Sequence, residues 1–374
     1  MFDYVTTSEE SISPLYVTSP YLPPPEEYIE KLKGIWESRV LTNRGRLALE
    51  LQRELEQSWG VEHVLCVANG TIALQLALAT ADIHDGEVIT TPFSYVATIS
   101  SILWERCTPV FVDIEPEHYT IDAAKIEEAI TPRTRAIMGV HVFGYACAVE
   151  VIEEIAARHG LPVIYDGAHA YAARYKGKSL MSYGDFSTCS FHATKLFHTA
   201  EGGAVVVKDA AAAARLDLLH RFGHNGDEHL MLGINAKLSE LHAAMGLSIL
   251  PHVDEVITRR CHLCEQYDTL LGDAVERPAP QAGLEPNYAY YPVLFRDEVQ
   301  LTEALRALAQ QGIYARRYFY PSLNRLPYLP SADECPVAEG VSGRIACLPL
   351  CAGMSDADVR RVSSAILAVP GMRK

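Results

Sequence analysis

Residues 184–203, GDFSTCSFHATKLFHTAEGG, decide the reading of this chain. Phe186, Thr188 and Ser190 alternate as a short strand does, and the strand ends where Ser190, His192, Thr194 and Lys195 crowd together. The Gly202-Gly203 pair then opens a second apolar run. A lysine at the carboxyl end of a strand has two readings. It is a surface lysine on a loop, or it is an amine whose pKa falls as water is lost, a nucleophile able to form an imine. The rest of the chain has to decide between them.

Working outward, short apolar runs recur at 63–67, 87–91, 109–114, 136–142, 162–165, 186–190 and 204–207. Helical patterns lie between most of them, at 71–79, 123–130 and 148–159. This alternation predicts an α/β fold with a mostly parallel seven-stranded sheet covered on both faces, its ligands at the carboxyl ends of the strands. Residues 1–25 read as an irregular arm that packs Tyr16, Tyr21 and Leu22 against the body. Amphipathic helices follow, from 25 to 37 and through Gln57. A nearly unbroken helical stretch is expected from 235 to 270. Beyond it, strands near 288–295 and 314–318 with helices at 302–311 and 356–367 read as a small α/β domain. The expected division is an arm (1–25), a large domain (26–250) and a small C-terminal domain (251–374).

The 374 residues carry a net charge of −15, without a long run of like charge, which argues against nucleic acid and anionic membrane as partners. The N-terminal stretch is acidic and proline-rich, no apolar run approaches membrane-spanning length, and a cytoplasmic location is expected. Nine cysteines, an odd number, fit reduced thiols better than a disulfide framework. Cys261 and Cys264 form a C-x-x-C inside a helical pattern with no second pair at zinc spacing, so no metal site is read.

Two further segments carry chemistry. In VLCVANGT (64–71) a strand gives way to a helix at Gly70, so helix N–H groups face whatever sits there; this is either a phosphate site or ordinary capping. Neither G-x-x-x-x-G-K-[ST] nor G-x-G-x-x-G after a strand occurs, which argues against nucleoside-triphosphate hydrolysis and a Rossmann site. VIYD (163–166) is an apolar strand ending in Asp166, followed by Gly167-Ala168-His169. A carboxylate there needs a cation or good donors, such as a protonated pyridine nitrogen; an N-cap or a core-edge salt bridge is the other reading.

Taken together, ANGTIALQLAL (68–78), TTPFSYVAT (90–98), YDGAHAYAARYKGK (165–178), the opening stretch, EGGAVV (201–206) and NAKLSELHAAMG (235–246) resemble the sugar aminotransferases of the DegT/DnrJ/EryC1/StrS family. The resemblance implies the aspartate aminotransferase-like fold (fold type I) and the cofactor pyridoxal 5′-phosphate, interconverting with pyridoxamine 5′-phosphate. It implies that Lys195 carries the imine and moves the substrate proton, and that Asp166 holds the pyridine N–H. His169 would lie near the cofactor's phenolic oxygen, or simply be a satisfied core histidine. Tyr95 would stack on the ring, and Gly70, Thr71 and Ser190 would bind the phosphate. Asn235 would reach the phosphate of a neighbouring subunit, which implies a homodimer with shared active sites. Two departures stand out: Gly167, where the family commonly has alanine, and Ala236-Lys237, where it often has Tyr-Arg. A branch of the family with histidine in place of the lysine dehydrates its substrate; lysine at 195 favours amino transfer.

The implied reaction moves an amino group from L-glutamate to a nucleotide-linked 4-keto-6-deoxy sugar, first of all dTDP-4-dehydro-6-deoxyglucose. Alternatives are a 3-keto or a GDP- or UDP-linked sugar, or a cofactor- or sugar-binding protein without turnover. The Tyr16-Val17-Thr18 arm with LPPPEEY (22–28) and stretches 41–45, 314–324 and 347–355 resemble the sugar-nucleotide entrance, with Tyr320, Arg316 and Arg317 as substrate contacts. The two arginines either pair with the diphosphate or remain solvated.

Overall fold

The seven apolar runs pair edge to edge. The computed structural model describes residues 13–329 and 334–372. Its strands β1 (Val64–Val67), β2 (Glu87–Thr90), β3 (Thr108–Phe111), β4 (Thr134–Val140), β5 (Val163–Asp166), β6 (Phe186–Ser190) and β7 (Gly203–Val207) form one sheet in the order β1-β7-β6-β5-β4-β2-β3. The pairs from β6 through β3 are parallel, while β7 runs antiparallel to both β1 and β6. The register aligns Val140 with Asp166 and Asp166 with Thr188, so the carboxyl ends of β4, β5 and β6 reach one edge together.

Alternation along each strand feeds opposite faces. On β1, Leu65 and Val67 join a core with Leu74, Met138, Val205 and Leu216, under helices Gly70–Thr80, Ala97–Trp104 and Ala210–Leu219. Val64 and Cys66 face the other way, toward helices Arg46–Trp59 and Glu240–Ile249. Helix Val149–His159 covers the far part of that second face through Ile152 and Ile155 against Ile137 and Val163.

The stretch from 235 to 270 departs from the expected continuous helix. Residues 235–238 are not helical; Asn235 bridges Arg221 and Ala236 accepts from Ala68 N–H at 2.8 Å. Ser239 caps Glu240–Ile249 by accepting from His242 N–H, and Pro251, which lacks an N–H, breaks the run at Leu250–His252 before Val253–Leu271. Cys264 lies in the apolar core of that last helix, whereas Cys261 is partly exposed.

Beyond residue 271, strands Tyr291–Leu294 and Ile345–Leu348 pair antiparallel under helices Glu298–Ala309 and Asp356–Leu367, around a separate cluster that includes Tyr291, Leu301, Leu348 and Val359. The expected strand at 314–318 is only Ile313–Tyr314, because the chain from Arg316 instead exchanges backbone hydrogen bonds with Cys347. Ile313–Tyr314 runs parallel to Leu15–Tyr16 of the arm, and Tyr16 stacks on Tyr314 at 5.2 Å. The first twelve residues of the arm lie outside the described residues. Tyr21 packs against the body and its carbonyl accepts from His198, but Tyr16 stays 55% and Leu22 67% exposed, contrary to the sequence reading. Among the described residues no helix is long and apolar enough to cross a membrane.

Candidate active site

A cavity of about 640 Å³ opens where β4, β5 and β6 end, and its wall carries both chemistry-bearing residues of the sequence reading, Asp166 and Lys195. Asp166 closes β5 and is 6% exposed. Its Oδ2 accepts from Thr98 Oγ1 at 2.8 Å and its Oδ1 from Ala168 N–H at 3.1 Å. Burial pushes this carboxyl pKa up, and the two donors together with the Lys195 amine oppose that shift.

Lys195 sits on the turn that follows β6, where its own N–H donates to His192 C=O at 2.9 Å. Nζ lies 3.5 Å from the Tyr290 hydroxyl. Loss of water lowers the amine pKa, with Asp166 pulling it back up. The favoured species is shifted toward the neutral, nucleophilic amine. His169 accepts Phe143 N–H on Nδ1 at 3.1 Å, which leaves the ring proton on Nε2. Burial, with the Lys195 charge acting the same way, holds its pKa well below the ordinary value, so the ring is a neutral donor.

Another part of the cavity wall is built to take an anion. Asn69 caps helix Gly70–Thr80 by accepting Ile72 N–H at 2.9 Å, and the first-turn N–H groups of Gly70 and Thr71 have no intrahelical acceptor. A Cβ at Gly70 would stand 2.8 Å from Ser190 Cβ, so only glycine lets this turn approach the end of β6. Tyr95 lies at the mouth, 55% exposed.

A phosphorylated pyridine aldehyde fits this set. A buried carboxylate with fixed donors leaves lone pairs for a ring N–H, a neutral histidine offers a donor, a helix terminus meets a phosphate, and a poorly hydrated amine meets an aldehyde.

Gly70, Thr71, Tyr95, Asp166, His169, Ser190, Lys195 and Arg316 all line this one cavity. Asn235 does not: it is exposed on the sheet edge, and its Oδ1 accepts from Lys237 Nζ at 2.6 Å. Arg317 is turned away, paired with Glu298 at 2.8 Å, donating to the carbonyls of Ser342 and Gly343, its guanidinium 3.3 Å over the Tyr320 ring. Tyr320 thus backs Arg317 outside the cavity wall. The cavity also holds Ser94 and Tyr290, for which the sequence reading gives no role of their own, together with Tyr318 and Phe319 of the 314–324 stretch. Thr98 stands behind Asp166; its only sequence signal was its place in TTPFSYVAT.

The model of the DegT/DnrJ/EryC1/StrS aminotransferase family matches residues 25–367. The chain belongs to this family. The aminotransferases of the DegT/DnrJ/EryC1/StrS family depend on pyridoxal phosphate, and both the fold and the family expected from the sequence hold. The chain is 39% identical over 361 residues to the dTDP-4-amino-4,6-dideoxy-D-glucose transaminase of Shigella dysenteriae, covering 94% of this chain and 98% of that one. It is 35% identical over 350 residues to the GDP-perosamine synthase of Caulobacter vibrioides, covering 90% and 93%. Among solved structures, DesI with its TDP-sugar product superposes with a TM-score of 0.90 at 35% identity, over 96% of this chain and 94% of that one. DesV of S. venezuelae does so with a TM-score of 0.84 at 27% identity, over 91% and 94%.

Proposed function

We propose that this family member transfers an amino group from L-glutamate to a nucleotide-linked 4-keto-6-deoxy sugar, dTDP-4-dehydro-6-deoxyglucose in the first instance, yielding dTDP-4-amino-4,6-dideoxyglucose. The observation that carries the reading is Lys195 and Asp166 on one cavity wall, in a chain similar over 94% of its length to a transaminase of that product. The GDP-perosamine synthase relative supports a GDP-linked sugar as the second reading.

When bound, pyridoxal phosphate would supply an electron sink for charge developing at the substrate carbon and a carrier for the amino group. Lys195 would hold the group covalently, and its Nζ would take and return the proton of the reacting carbon. Asp166 would accept the ring N–H and keep that nitrogen protonated, and His169 Nε2–H would donate to the phenolic oxygen. Gly70, Thr71 and Ser190 orient the phosphate, Tyr95 covers a ring face, and Arg316 offers a cation to an anionic part of either substrate.

A homodimer with shared active sites is part of the proposal. Leu230, Leu232, Ile234 and Phe222 form an exposed apolar surface around Asn235, with Leu232 92% exposed, and burying it against a second copy would bring Asn235 to the partner's phosphate site.

The test is to incubate the protein with pyridoxal phosphate, 15N-glutamate and the dTDP keto sugar, and to follow the sugar by NMR. Nitrogen-15 at sugar C4 is the expected result, and a nitrogen-free sugar overturns the reading. Borohydride reduction followed by peptide mapping should place the cofactor on Lys195.

A further inference from the structure

The Asp166 carboxylate is held by a chain of hydroxyl groups that lies mostly behind the cavity wall. Thr98 is fully buried, and its Oγ1 is 2.8 Å from Asp166 Oδ2 and 2.7 Å from Ser94 Oγ. An ionised carboxylate only accepts, so the single Thr98 proton points to Asp166 and Ser94 must donate to Thr98. The direction of the chain is thereby fixed as Ser94 to Thr98 to Asp166. Its scaffold is fixed as well: Ser101 Oγ donates to Thr98 C=O at 2.8 Å, and Thr98 N–H donates to Tyr95 C=O at 3.2 Å. Oδ1 is pinned separately by Ala168 N–H. Both oxygens therefore have one fixed donor, and the carboxylate of this cavity-lining residue is held in one orientation.

We propose that Thr98, backed by Ser94, is a positioning residue that keeps Asp166 ionised and oriented so that it selects a ligand ring bearing a protonated nitrogen. The inference rests on the cofactor reading above. Polarising Thr98 through Ser94 strengthens the donor at Oδ2, where hydration is missing. A valine at 98 keeps the shape and removes the donor, and a serine keeps the donor.

The experiment is equilibrium binding to the apo-protein of two probes, pyridoxamine 5′-phosphate and its 1-deaza analogue, in which carbon replaces the ring nitrogen. In Thr98→Val, affinity for pyridoxamine phosphate is expected to fall about tenfold or more, the range of a hydrogen bond to a charged group, with little change for the deaza analogue. Thr98→Ser is expected to restore the preference, and Ser94→Ala to lose part of it. Equal losses for both probes, or no loss for either, overturn the proposal, because a purely structural role does not distinguish nitrogen from carbon. If Thr98→Val does not fold, Ser94→Ala alone carries the test: an unchanged ratio of the two affinities overturns it. Failure of the wild-type apo-protein to bind pyridoxamine phosphate would instead overturn the cofactor reading.

Discussion

Lys195 and Asp166 place opposite demands on one cavity wall. Water loss pushes the amine toward neutrality and the carboxyl toward protonation, and each opposes the shift of the other. Two substitutions separate their roles. Lys195→Ala is expected to reduce multiple-turnover transfer to background while the cofactor still binds noncovalently, checked by turnover assay and by absorbance of the gel-filtered protein. Asp166→Asn leaves the shape of the site and removes the charge that holds the ring nitrogen protonated. Its transfer rate is expected to fall by about a hundredfold or more, the scale on which a positioned proton-handling group acts, with rapid mixing as the measurement. A wild-type rate in Asp166→Asn would make the carboxylate structural.

At the scale of elements, the anion end depends on how closely two strand ends approach a helix start. Gly203 opens β7 against the Asn69 turn, and a Cβ there would meet Asn69 C and O and Cys189 O, all at 2.8 Å. These are backbone atoms that cannot swing aside. Gly203→Ala is therefore expected to cost about 1–3 kcal/mol in chemical denaturation, as overpacking does, and to weaken phosphate binding by displacing the Gly70 turn. Denaturation with and without cofactor checks both effects. The elements also explain why 235–270 is not one helix. Its periodicity reads through Ser239 and Pro251, but the Ser239 N-cap starts a helix there, the missing N–H of Pro251 interrupts the run, and segment 235–238 lies along β1.

At the scale of the whole molecule, burial of neutral histidines ties stability to pH. His141 is fully buried, accepts Cys147 N–H at 3.1 Å, stacks on Tyr165 at 4.6 Å, and has its pKa pushed down to about 3. Above about pH 6.5 neither the folded nor the unfolded chain protonates this ring, and its contribution is fully present. As pH falls from there toward about 3 only the unfolded chain takes up the proton, so stability drops by up to about 1.4 kcal/mol per pH unit from this group. His220, lowered to about 4, acts with the same sign. Denaturation midpoints from pH 7 to pH 4 should fall, less steeply in His141→Asn. The proposed dimer gives a second prediction on this scale: Leu232→Asp puts a charge on the most exposed apolar side chain of the Asn235 surface, and sedimentation should shift toward monomer with loss of transfer.

The sequence alone determined the alternation of seven strands with helices, the ends of β5 and β6 as the places for Asp166 and Lys195, and the glycine at the helix start. Each is a local property, written in side-chain period and in residues that only one backbone geometry tolerates. The tertiary structure decided what surrounds those groups. Thr98 reaches Asp166 across 68 residues, Tyr290 reaches Lys195 across 95, and of two adjacent arginines it leaves Arg316 on the cavity wall while Glu298 and two carbonyls draw Arg317 away. No periodicity encodes such pairings, because they depend on which elements pack together and at what register.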